Sequence, residues 1–181
     1  MSPHNDLLLL AGKILTVLLQ AAMAFGAAVL LVILPFVTLF SGDLAKGFSE
    51  GSEIPVQDIP TLPFAGIILI GLAIVLALFL FFGKLRAIIA TVGAGDPFVP
   101  ANADRLNMMA WLMLSTQVLT IPLVFLVPYL VKWADSVETV TFHGQVGGLD
   151  MTGILLVIIL FILARVFRHG AAMREDLEGT V

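Results

Sequence analysis

Cysteine is absent from the 181-residue chain, and charge is scarce. The first absence excludes disulfides, thiolate nucleophiles and iron–sulfur ligation. The second says more. Charged residues make up 12% of the chain and hydrophobic ones 60%, with a mean hydropathy of +1.09. Soluble domains are about a quarter charged. A fold of this size has too small an interior to hide so much apolar surface from water. A lipid solvent removes that conflict, because outward side chains are then apolar as well.

Chemical motifs are missing too. There is no HExxH, no paired Cys/His spacing and no Walker-type glycine loop. Gly93-Ala94-Gly95 lacks the Gly-Lys-Ser/Thr that a phosphate loop needs, and reads as a turn ahead of Asp96-Pro97. The three histidines, His4, His143 and His169, fall on opposite sides of the topology derived below and do not make one metal site. No catalytic residue, cofactor site or metal site is assigned. Direct binding to nucleic acid is not expected either.

What the chain has is long apolar runs. Residues 7–40 form the first, interrupted by Lys13 and a few polar side chains. As one helix it is about 51 Å long, against a hydrocarbon core of about 30 Å. Its start therefore belongs in the membrane interface, with Lys13 reaching the headgroups, and Pro35 kinks its far end. Ala22-Met23-Ala24 resembles a signal-peptidase site, but the run stays apolar beyond it, as an uncleaved first helix does. Residues 64–82 and 108–131 are uncharged runs of spanning length, the latter containing Pro122 and Pro128. Residues 151–167 form the shortest run and need Arg165 to snorkel. The expectation is one all-α domain over residues 1–181, a four-transmembrane-helix bundle with spans at about 14–40, 64–82, 108–131 and 151–167.

Loop charge orients it. The amino end, the second connection and the tail carry Lys13, Lys84, Arg86, Arg105, Arg165, Arg168 and Arg174. The first and third connections carry only Lys46 and Lys132, among several carboxylates. The positive-inside rule then predicts a bacterial inner-membrane protein with both termini cytoplasmic. Residues 54–59 and 137–146, in the outer connections, are candidates for a small β element capping the bundle. An irregular loop is the alternative.

Polar side chains inside the spans are few. Gln20 and Gln117 are placed to hydrogen-bond between helices. Asn102 or Asp96 is placed to cap the start of the third span. Trp111 at one end and Tyr129 and Trp133 at the other suit interfacial anchoring. No carboxylate sits within a span, which argues against a pump or coupled transporter. The tail runs from basic (Arg165, Arg168, Arg174) to acidic (Glu175, Asp176, Glu178). Its basic part suits anionic headgroups.

Two stretches carry a family resemblance. Gly95, Pro97, Phe98, Asn102, Arg105 and Leu106 follow a G-x-P-F-x-x-x-N-x-x-R-L pattern. Phe167, Arg168, Gly170, Asp176, Thr180 and Val181 follow an F-R-x-G-x-x-L-x-x-(D/E)-x-x-x-T-V ending, with Met173 in place of its leucine. Together they resemble a bacterial four-span membrane family, domain of unknown function number twenty-nine seventy-five. The resemblance implies no catalytic residues. Members are often encoded beside a small helix-turn-helix regulator, so it implies a cytoplasmic regulator or another membrane protein as partner, besides membrane lipids. Both motifs, with Glu175 from the acidic tail, fall on the expected inner face, where Arg105 or Asn102 is expected to pack against residues 175–178. The expected function is a non-enzymatic regulatory or scaffold protein. The alternative is a small oligomeric transporter, channel or lipid-binding protein.

Overall fold

The computed structural model of the protein describes residues 3–43, 60–135 and 150–178. Both candidate β segments lie outside the described residues, which contain no strand. The helices that build the molecule are α1 (Pro3–Leu39), α2 (Thr61–Gly93), α3 (Pro100–Thr120), α4 (Leu123–Asp135) and α5 (Met151–Glu178). Four spans are long and apolar enough to cross a bilayer: Leu7–Leu39, Thr61–Gly93, Pro100–Trp133 and Met151–Leu177. Large apolar side chains cover their outer faces; Phe25 is 73% exposed and Phe125 75%. Water would not tolerate such a surface, and lipid requires it. The protein is a multi-pass membrane protein of four helical spans.

The helices outrun the apolar runs that announce them. α2 continues past Phe82 to Gly93, and α5 past Phe167 to Glu178. Polarity ends the solvent match with hydrocarbon, not the helix. Prolines act differently by position. Pro35 lies within α1 and Pro128 within α4. Pro122 separates α3 from α4. It has no N–H to donate to Val118, whose carbonyl instead accepts from Ile121 N at 3.1 Å.

α1 and α2 run antiparallel, with small residues at the contact. Gly12 faces Ile89, Gly26 faces Val75, Gly71 faces Leu30 and Gly83 faces Gln20. Gln20 Nε2 donates to the Phe79 carbonyl at 3.4 Å, a bond between helices as its position suggested. α2 packs next on α3 and touches α4, and α3 packs on α5. α1 and α5 thus stand at the two ends of a row.

The α3–α5 seam is the best-buried part. On α5 the buried positions are Gly153, Val157, Leu160, Ala164 and Ala171, with half-buried Phe167 completing a four-three spacing. α3 answers with Ala103, Leu106, Met109, Ala110, Thr116 and Gln117. This is the period of a coiled-coil seam, narrowed by alanines as membrane helices allow. Ile88 of α2 joins Leu106, Met109, Ala110, Leu160 and Ala164 in one core cluster.

α5 begins low in the row. Gln117, about midway along the Pro100–Trp133 span, donates from Nε2 to the carbonyl of Asp150 at 3.3 Å. A helix that starts at such a depth must satisfy its own first amides. Asp150 does so, accepting from Thr152 N at 3.0 Å and Gly153 N at 3.1 Å. Gly153 leaves the space that the Gln117 amide fills; a Cβ there would lie 1.5 Å from Nε2.

Candidate functional site

The start of α1, the α2–α3 turn and the end of α5 lie on the same side of the bundle, where α1 begins beside the end of α2 and the turn meets α5. There the two sequence motifs pack against each other. The site begins with how α2 stops. Gly95 has φ +83°, a conformation that glycine adopts without strain. Asp96 N then bonds the Thr91 carbonyl at 3.0 Å, and Gly95 N the Val92 carbonyl at 3.0 Å. That bond pair is the Schellman arrangement of a helix end. Pro97 follows, and Pro100 opens α3 at its first turn, where no N–H is needed.

Asn102 is the hub of this turn. It is completely buried. Its Nδ2 donates to Thr91 Oγ1 at 2.7 Å and to the Pro97 carbonyl at 2.8 Å. Its Oδ1 accepts from Arg105 at 2.7 Å. Both amide hydrogens and the amide oxygen are therefore used, as burial demands. One side chain ties the end of α2, the turn and the first turns of α3 into a unit. Neither Asn102 nor Asp96 caps α3, contrary to their reading as N-caps. The N-cap is Val99, which makes no side-chain cap bond. Asn102 sits one turn too far in, and its amide is engaged behind it.

The turn docks on α5 through Phe98 and two ion pairs. Phe98 lies against Phe167, ring centroids 5.3 Å apart, and over Gly170. A Cβ at Gly170 would fall 2.7 Å from the Phe98 ring, so glycine there sets how closely the turn approaches. Asp104 pairs with Arg168 at 3.5 Å, and Asp96 pairs with Arg174. The expected approach of Arg105 to residues 175–178 is not what joins the motifs. Arg105 bonds Asn102 on its own helix, while carboxylates of the turn and α3 meet arginines of α5. Glu175 is exposed on the last turns of α5. Thr180 and Val181 lie outside the described residues.

Sequence reasoning thus named Gly95, Pro97, Phe98, Asn102, Arg105, Phe167, Arg168 and Gly170, and the fold brings them together. It missed Thr91, whose hydroxyl accepts from Asn102 while donating to the Ile88 carbonyl at 2.8 Å. The available signal was slight: Thr91 is a lone polar residue near the end of an apolar helix. Among the described residues no three His, Asp or Glu side chains converge as a metal site would require.

Residues 39–181 match the family described as Protein of unknown function (DUF2975). The chain belongs to this family. The match covers both motifs and α2 through α5. Neither the curated proteins nor the solved structures contain a match to the chain.

Proposed function

We propose that the protein is a non-enzymatic membrane scaffold that holds the end of α5 in the cytoplasm as a docking element for a regulatory protein partner. The observation that carries this reading is the clasp itself. A buried asparagine, a glycine contact and two ion pairs fix α5 just where it leaves the apolar region. Beyond that point α5 remains helical to Glu178 and displays Met173, 53% exposed, beside the carboxylates Glu175 and Asp176. An apolar side chain among acidic ones on a rigid helix suits a basic groove lined with apolar residues.

The orientation rests on charge. Lys13, Lys84, Arg86, Arg105, Arg165, Arg168 and Arg174 gather toward the clasp end, which supports an inner-membrane protein with both termini inside. Buried polar side chains of the spans support packing rather than transport. Thr16, Thr116 and Gln117 bond the carbonyls of Gly12, Met113 and Asp150. The family resemblance makes a small helix-turn-helix regulator the first partner to test.

The test is crosslinking and mass spectrometry of native membranes, comparing the full chain with one lacking residues 175–181. That deletion keeps Arg174 and its pair with Asp96. Loss of a cytoplasmic partner on deletion is expected. An unchanged set of crosslinked partners overturns the proposal.

A further inference from the structure

An open groove of about 810 Å³ runs along the outer face of α5 beside Phe98. Its apolar lining includes Phe98, Ile162 and Val166, and its cationic or proton-bearing lining is Arg165, Arg168 and His169. Among the described residues no carboxylate lines it. Asp104 approaches Arg168 at 3.5 Å from the side, so Arg165 carries most of the local positive charge, with the His169 imidazole beside it.

Two features make the groove more than a basic patch. First, it has a built wall. Phe98 stands where it does because Gly170 has no side chain to hold it off. Second, its two chemistries are ordered along α5. Ile162 and Val166, 57% and 53% exposed, continue the outward apolar strip of Leu155 and Ile158 on the spanning part of the helix. Arg165, Arg168 and His169 lie within about one turn, on adjoining faces where residues three and four apart are neighbours. The groove therefore opens downward onto hydrocarbon and upward onto positive charge.

We propose that this groove holds an anionic phospholipid, its phosphate on Arg165, Arg168 and His169 and one acyl chain along Ile162 and Val166. The apolar strip favours a lipid over a free phosphate, which has nothing to place there. Arg165, together with an Arg168 that Asp104 engages from one side only, favours an anionic headgroup over a zwitterionic one, whose ammonium they would repel. The proposal does not depend on the protein partner suggested above, since the groove is complete without one.

The experiment uses the full-length protein in mild detergent. Native mass spectrometry measures retention of phosphatidylglycerol and of phosphatidylcholine with identical acyl chains. A preference for phosphatidylglycerol of about tenfold is expected, equivalent to about 1.4 kcal/mol. R165Q/R168Q should bring the ratio near one, while K132Q, in the last turn of α4 at the opposite side of the bundle, leaves it unchanged. Equal retention of the two lipids by the wild type overturns the proposal, as does an unchanged preference in R165Q/R168Q. Displacement by millimolar inorganic phosphate overturns it in favour of a free-anion site. A second measurement avoids variants altogether. Phosphatidylglycerol carrying a photoreactive acyl chain should label the wild-type chain within residues 162–173, and labelling spread evenly over all four spans overturns the assignment.

Discussion

Replacing Asn102 by alanine tests whether the clasp has a single hub. The substitution deletes two amide donors, one to Thr91 Oγ1 and one to the Pro97 carbonyl, and the acceptor for Arg105. Each neutral hydrogen bond contributes about 0.5–1.5 kcal/mol and one to a charged group about 1.5–3. The sum is roughly 2.5–6 kcal/mol. Thr91 retains its bond to Ile88, and half-buried Arg105 can turn toward water, so the lower half of that range, about 3–4 kcal/mol, is expected. In a domain of this length that lowers Tm by on the order of 10 °C. Thermal denaturation in mild detergent, followed by the fluorescence of Trp111 beside Phe161, reads the change. Asn102→Asp sharpens the test. Its carboxylate keeps a partner in Arg105 but turns oxygen toward the Pro97 carbonyl, so it should also be destabilised by at least about 1–2 kcal/mol. A stability for Asn102→Ala within about 0.5 kcal/mol of wild type refutes the hub. Wild-type stability for Asn102→Asp refutes the assignment of the amide hydrogens.

Two further perturbations follow from the packing. Gly153→Ala drives a Cβ into Gln117, displacing it from Asp150, and should cost about 2 kcal/mol as overpacking does; adding Gln117→Ala should recover part of that loss in the same denaturation assay, and simple additivity would show that the two side chains do not meet. Reversing Asp96 to Arg should cost no more than about 1 kcal/mol because the pair is partly exposed, with Arg174→Asp in the same chain restoring it; a double variant less stable than either single one would remove the ion pair from the clasp.

Much of this architecture is legible in the sequence. Spanning helices declare themselves because lipid demands apolar side chains on every outward position, so length and charge alone locate the second and third, whereas the first overruns the bilayer and the fourth needs Arg165 to snorkel. The motif residues were readable because their spacing is fixed by a helix end, a turn and a helix start. What the residues do there was not. Asn102 reads as a cap from its place before an apolar run, and only the path of the turn reveals that its amide points back to Pro97. Arg105 and Glu175 are opposite charges on the same face of the membrane, yet the pairs that form are Asp96–Arg174 and Asp104–Arg168. Charge sign is visible in a sequence, whereas pairing depends on helix rotation and register. The partner role of Thr91 was invisible for the same reason.

The low starting point of α5 bears on the membrane itself. From Met151 to Arg165 the helix rises about 21 Å, against a hydrocarbon thickness of about 30 Å. α1, at the other end of the row, counted in the same way from its cation Lys13 to Leu39, rises about 39 Å. The molecule therefore presents a tall apolar wall on one flank and a short one on the other. Hydrophobic mismatch at the short flank is relieved when the neighbouring lipids thin or tilt. Of the two flanks α1 is the longer, its span running Leu7–Leu39 against Met151–Leu177 for α5, so lipids of longer chain match the α1 flank better than the α5 flank.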